Sequence, residues 1–166
     1  IGVDLSGANL SGASLEDTNL IGANLRFANL SFANFSRADL YGANLSGVDL
    51  RTTNLYDANL SEAILNRGNS NETFLIAGTN LSGANLSGTD LRTTNLYQAN
   101  LSGADLSGAD LRTTNFSKSD LREVNLREAD LREVNLREAD LRGADLKGAN
   151  LRGAQYCKTR MPSWEE

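Results

Sequence analysis

The sequence predicts a narrow four-sided solenoid, and three observations predict it. A leucine or phenylalanine stands at every fifth position from Leu5 to Leu65 and again from Leu81 to Leu151, with Phe35 and Phe116 the two replacements. Each sits in one frame: a small residue, an asparagine or aspartate, the leucine, then two variable residues. The string Arg-Thr-Thr-Asn recurs at Arg51, Arg92 and Arg112, at offsets of 41 and 20 residues.

The spacing of five excludes the simpler elements. A five-residue step turns an α-helix by about 140° net, which scatters the leucines over every face. A flat strand alternates faces, so an odd spacing throws successive leucines to opposite sides. Leucine-rich repeats need units of about twenty residues or more with unequal leucine spacing. A chain that bends by about 90° once per repeat turns every leucine inward, and four repeats then close one square coil. The offset of 20 is one such coil; the offset of 41 reads as two coils plus one inserted residue.

Each slot has a reason. The small residue two before the leucine, such as Ala8, Ala23, Ala84 or Ala104, also points into the shaft, where only Ala, Ser, Thr or Val fits. The Asn or Asp before the leucine bonds its own backbone near the corner. The two residues after the leucine make the corner, where Gly7, Gly42, Gly47, Gly83, Gly103 or Gly148 supplies the positive φ of a type II turn. Glu123, Glu128, Glu133 and Glu138 occupy that glycine slot, and a different turn is expected there because non-glycine residues resist positive φ.

These A(N/D)LXX repeats, 28 of them by the leucine count, resemble the pentapeptide repeat proteins over nearly the whole chain. The resemblance implies an all-β fold, a right-handed quadrilateral parallel β-helix of about eight coils, with short β-bridges stacked on each side. It also implies kinship with a family abundant in cyanobacteria, whose members are mostly of unknown role. At about 4.8 Å per coil the rod would be about 40 Å long. The expected division is a β-helix over 1–156 with a register break between 66 and 80, and a cap or tail over 157–166 that includes Cys157. Leu75 is the favoured inward residue in the break, with the extra residue among Ile76 to Thr79; the break reads as a tolerated indel or as a functional loop.

Stacking residues one coil apart arranges the variable slots in columns. With one inserted residue, Ser11, Ser31, Arg51, Asn71, Arg92, Arg112, Arg132 and Arg152 form a ridge, and Tyr56 and Tyr97 share another column. These arginines and the two tyrosines are the candidate interaction surface. The ridge reads either as a track for an anionic partner or as a solvated ladder, since each arginine has a nearby glutamate or aspartate and Arg122 to Arg137 are each followed by Glu. The tyrosines read as partner anchors or as stacking residues on a flat face.

Composition bounds the chemistry. There is no histidine and one cysteine, so neither a histidine-based triad nor an intramolecular disulfide is available, and no catalytic, metal or cofactor site is expected. Net charge is -5, all of it in residues 1–116, which argues against nonspecific nucleic-acid or anionic-membrane binding. No apolar run reaches membrane-spanning length. The many Asn-Leu-Ser triplets match a glycosylation acceptor only as by-products of the repeat. The expectation is a cytoplasmic, non-enzymatic structural or interaction scaffold with an unidentified protein partner; a removed leader would allow periplasm or thylakoid lumen. The alternative is a DNA mimic that binds a type II topoisomerase such as DNA gyrase, a role the family resemblance brings in. Bare edges at Ile1, Leu5 and Leu10 suggest weak end-to-end self-association.

Overall fold

A computed structural model describes residues 1–65 and 78–163, and shows a right-handed quadrilateral β-helix. Its four sides are named in chain order by their first leucine: side A (Leu5), side B (Leu10), side C (Leu15) and side D (Leu20). The residue before each leucine pairs in parallel with its counterpart one coil on. Side A runs Asp4, Asn24, Asn44, Ile64, Asp90, Asp110, Asp130, Asn150; side C runs Ser14, Asn34, Asn54, Asn80, Asn100, Asp120, Asp140, Arg160. Two backbone bonds make each rung, as where Leu25 N–H donates to Asn44 C=O (2.8 Å) and Asn44 N–H to Ala23 C=O (2.8 Å).

The core is a leucine shaft. Leu25, Leu40, Leu86, Leu106 and Leu136 are fully buried, as are Phe35, Phe116 and the small residues beside them, including Ala43, Ala104 and Val134. Leu5, Leu10, Leu15 and Leu151 are only partly buried, because they belong to the outermost coils. Each buried leucine removes enough apolar surface from water to contribute about 1.5 to 3 kcal/mol of gross stabilisation. Hydroxyls in the inward slot find carbonyls: Thr53, Thr114 and Thr159 donate to Leu30, Leu91 and Leu136 of the preceding coil. Thr94 Oγ1 is the exception among the described residues, buried without a partner.

From Leu5 to Leu65 and from Leu81 to Leu151, the described corners are turns closed by a bond from the next small residue to the Leu or Phe carbonyl, as from Ala8 N–H to Leu5 C=O (3.0 Å). At every described corner but that of Thr52 the second residue has positive φ whatever its identity. Glu123, Glu128, Glu133 and Glu138 have φ of 58°, 57°, 60° and 58°, so the expected switch of turn type at these residues does not occur. The stacked ladder fixes the corner, and the side chain bears the strain of the left-handed region.

The register across the break differs from the expected one. Asn54 pairs with Asn80, Asn59 with Asn85 and Ile64 with Asp90, each 26 residues apart in place of the usual 20. The break thus adds six residues to one coil, a whole repeat plus one. An insertion of one and an insertion of six leave the same leucine phase, which is why the count alone selects the shorter. The expected placements of Asn71, Leu75 and the extra residue lie outside the described residues. At the other end the ladder passes the expected boundary at 156: Asn135 pairs with Gln155 and Asp140 with Arg160, so Thr159, Arg160 and Met161 take the small, polar and leucine slots. Among the described residues no helix is long and apolar enough to cross a membrane.

Candidate functional surface

With a core of this kind, function is confined to what the sides and corners display. The longer coil moves everything after it back by one corner. Arg92, Arg112, Arg132 and Arg152 do stack, at the corner between sides A and B, where Thr93 N–H donates to Arg112 C=O, Thr113 to Arg132 and Glu133 to Arg152. Arg51 does not join them. It precedes Asn54 by three residues as Tyr97 precedes Asn100, which puts Arg51 and Tyr97 together at the corner between sides B and C. Tyr56 stands at the next corner over Ser82, whose carbonyl accepts from Asp57 N–H, so the two tyrosines do not share a column. The structure therefore divides the expected surface among three corners.

Four of the five arginines are also not free. Each of the four pairs with the aspartate two residues before it: Arg51 with Asp49, Arg92 with Asp90, Arg112 with Asp110 and Arg132 with Asp130, at 2.5 to 2.6 Å; Arg152 follows Asn150 instead. Arg122 and Arg142 do the same with Asp120 and Asp140. The aspartate already accepts the backbone N–H of that arginine, as Asp90 does from Arg92 at 3.1 Å, so its carboxylate is pre-aimed for the guanidinium. At Arg122 and Arg132 the partner is thus this aspartate and not the glutamate that follows. Bonding from the guanidinium holds the carboxyls of Asp49, Asp90, Asp120 and Asp130 below the usual range, and that of Asp140 at about 2.

The purpose of these pairs lies in the ladder. Where asparagines stack, the later amide donates to the earlier residue, as Asn54 to Asn34 (2.9 Å), Asn59 to Asp39 (2.9 Å) and Asn135 to Asn115 (3.0 Å). Asp90, Asp110 and Asp130 follow one another on side A and have no donor to give. Arginine supplies it: Arg92 Nε also lies 3.6 Å from Asp110, and Arg112 Nε 3.7 Å from Asp130. Of the outward aspartates in the chain, only Asp4, Asp39 and Asp105 lack a basic residue two positions on. Asp39 and Asp105 both lie on side D, with Asp57, Glu62, Glu123 and Glu128 at its corners.

Apolar exposure has its own distribution, which the sequence reading missed. The exposed large apolar residues are Ile1, Val3, Phe27, Phe32, Tyr41, Tyr56 and Ile64, and then none among the described residues until Tyr156. Phe27 and Phe32 are 61% and 75% exposed and flank side B on the second coil. Both occupy the second corner slot with φ of 58° and 59°, and they are the only apolar residues among the non-glycine residues held there. Phe27 lies over Gly47, where an added methyl would meet the ring at 2.5 Å, and the Arg26 guanidinium lies over the ring 5.2 Å from its centre. Phe32 has no such shelf, since Thr52 stands in the next coil with its Oγ1 accepting from Phe32 N–H (3.1 Å). Among the described residues no group of His, Cys, Asp or Glu is arranged to hold a metal ion.

Known proteins share this architecture. The family model for pentapeptide repeats matches in eight copies, over residues 1–31, 33–69, 77–112 and 119–154. Among solved structures the chain is similar to HetL, a pentapeptide repeat protein involved in heterocyst differentiation regulation in the cyanobacterium Nostoc sp. strain PCC 7120: 37% identity, TM-score 0.72, covering 98% of this chain and 74% of HetL. It is also similar to alr5209, a pentapeptide repeat protein of Nostoc PCC 7120, with 39% identity and TM-score 0.53 over 55% of this chain and 76% of alr5209. No curated protein sequence matches. Repeat, square coil and family model agree, and the chain belongs to the pentapeptide repeat family.

Proposed function

We propose that the chain is a non-catalytic scaffold that docks a partner protein through its N-terminal half. The observation that carries this is the exposure of Phe27 and Phe32 at corner positions that disfavour them. A phenylalanine in left-handed backbone costs about 1 to 2 kcal/mol, and exposing it gains nothing for folding. Exposed aromatic anchors are the residue type that dominates protein interfaces. The expected arginine surface has a lesser part, because carboxylates already hold most of its guanidinium groups. A photo-reactive side chain at Phe32 should cross-link to a discrete protein of the source cell, and the same group at Ser107 on side D should not. Identical products from both positions would refute the assignment.

The alternative reading, a DNA mimic acting on a type II topoisomerase such as DNA gyrase, draws on the uncompensated carboxylates of side D. Against it, the carboxylates of side A and the later part of side C are matched by arginine, so the rod does not present the continuous negative potential of duplex DNA. Micromolar protein is expected to leave gyrase supercoiling unchanged; inhibition would favour the mimic.

A further inference from the structure

The coil over residues 121–140 carries an arginine followed by a glutamate at all four corners: Arg122-Glu123, Arg127-Glu128, Arg132-Glu133 and Arg137-Glu138. One coil later the cations persist and the glutamates vanish, leaving Arg142-Gly143, Lys147-Gly148, Arg152-Gly153 and Cys157-Lys158. The glycines make room for the coil before. A methyl at Gly143 would meet Glu123 at 3.2 Å, one at Gly153 would meet Glu133 at 3.3 Å, and the Glu128 carboxylate lies over Gly148. Charge is thereby sorted into two layers, an acidic coil over 121–140, where four arginines face four glutamates, Asp130 and Asp140, and then a cationic one. Within residues 141–163 the only acidic residue is Asp145, against Arg142, Lys147, Arg152, Lys158 and Arg160. Asp145 pairs with Arg127 of the preceding coil (3.0 Å), and Asp140 takes Arg142 and, at 3.4 Å, Arg160. Lys147, Arg152 and Lys158 have no ion-pair partner among the described residues, and all three are exposed.

We propose that this coil is a cationic collar that docks a short acidic polypeptide segment. Side B is its open side. Arg152 and Lys158 stand at its two corners, Arg137 lies one coil before, and the outward slots there hold Asn135 and Gln155 with no carboxylate. Each carboxamide has two N–H groups, and the ladder to Asn115 uses one from Asn135 (3.0 Å), which leaves one for an incoming carboxylate. The height of the collar selects the partner. It is one coil deep, about 4.8 Å, and the ring of Glu123, Glu128, Glu133 and Glu138 bounds it. A polyanion that spans several coils, such as nucleic acid or a lipid surface, meets those carboxylates and the acidic remainder of the rod. A few acidic side chains on a narrow backbone do not.

The proposal rests on the scaffold reading only in taking the partner to be a polypeptide, and its test is separate. A fluorescein-labelled peptide of six glutamates is titrated with the whole protein, by anisotropy, at about 20 mM and about 300 mM salt, where screening should abolish binding. Saturable binding at low salt is expected, weakened about tenfold or more by Arg137→Glu/Arg152→Glu/Lys158→Glu, as the three cations that flank side B lose their contacts together. It should persist in Arg26→Glu/Arg51→Glu/Lys118→Glu, which changes net charge equally, and in Phe27→Ser/Phe32→Ser, which tests the scaffold surface alone. Circular dichroism confirms that each variant is folded. No binding at low salt, or equal loss in the two charge variants, would overturn the collar. Tighter, collar-dependent binding of a twelve-nucleotide oligothymidylate or of phosphatidylserine vesicles would overturn the choice of polypeptide.

Discussion

At the level of single residues, the second corner slot decides most of what can be changed. Its backbone is left-handed at Gly108 (φ 64°) and at Phe32 (φ 59°) alike. Phe32→Gly should therefore raise stability by about 1 kcal/mol, since glycine relieves the strain and little burial is lost. The same change should abolish cross-linking to a partner; a destabilised variant in urea denaturation would show that the ring is structural. Glycines divide by what lies over them. Gly108 faces open space, so Gly108→Ala should cost about 1 kcal/mol. Gly148 lies under the Glu128 carboxylate, so Gly148→Ala should cost more, and Glu128→Ala should recover the excess in a double-mutant cycle. The two phenylalanines were visible in the sequence as the only apolar residues in a slot otherwise filled by glycine and polar types. Their significance was not, because the rule that glutamate must use another turn concealed that the non-glycine residues there, Thr52 apart, are held in left-handed backbone.

The sides behave as ladders, and their chemistry is set by who donates. On side A the aspartates depend on arginine, and Asp110→Asn should be nearly neutral because an asparagine amide can donate to Asp90 as it does elsewhere. Arg112→Ala should cost up to about 1 kcal/mol, within the range of exposed ion pairs. A loss well above that, measured by chemical denaturation, would mean the ladder works as a cooperative unit. The pH dependence has a definite sign. Asp140 ionises at about 2 in the folded chain against an ordinary 3.8, held down first by the guanidinium of Arg142. The unfolded chain binds the proton first, so stability should be constant above about pH 4 and fall between 3.8 and about 2. Arg142→Ala should flatten that decline in urea midpoints taken across the window. A nearby carboxylate for each arginine was legible in the sequence; that it is the aspartate of Asp-Leu-Arg and not the glutamate of Arg-Glu was not, since neighbours in the chain diverge at a corner while residues two apart share it.

Across the whole molecule, the leucine period, the square coil and the inward small residues were all legible, because each follows from one steric requirement repeated along the chain. Leu106→Asp should unfold the middle coils, with loss of β-sheet circular dichroism, since an unpaired carboxylate would enter a fully buried site. What the sequence hides is the number of residues in the long coil. Phase modulo five survives any insertion of one, six or eleven residues, yet each choice moves every later column to another corner. The assignment of Arg51 and Tyr97 to one corner, of the Asp-Arg ladder to side A and of the open collar to side B all depend on that number. The most direct measurement is the trans-hydrogen-bond NMR coupling from the Leu55 amide nitrogen. The structure places its acceptor at Asn80 C=O, 3.1 Å away, with Leu60 bonded to Asn85 in the same way. Couplings from Leu55 to the Asn80 carbonyl carbon and from Leu60 to that of Asn85 are predicted; a coupling from Leu55 to the carbonyl carbon of Phe74 would contradict the account.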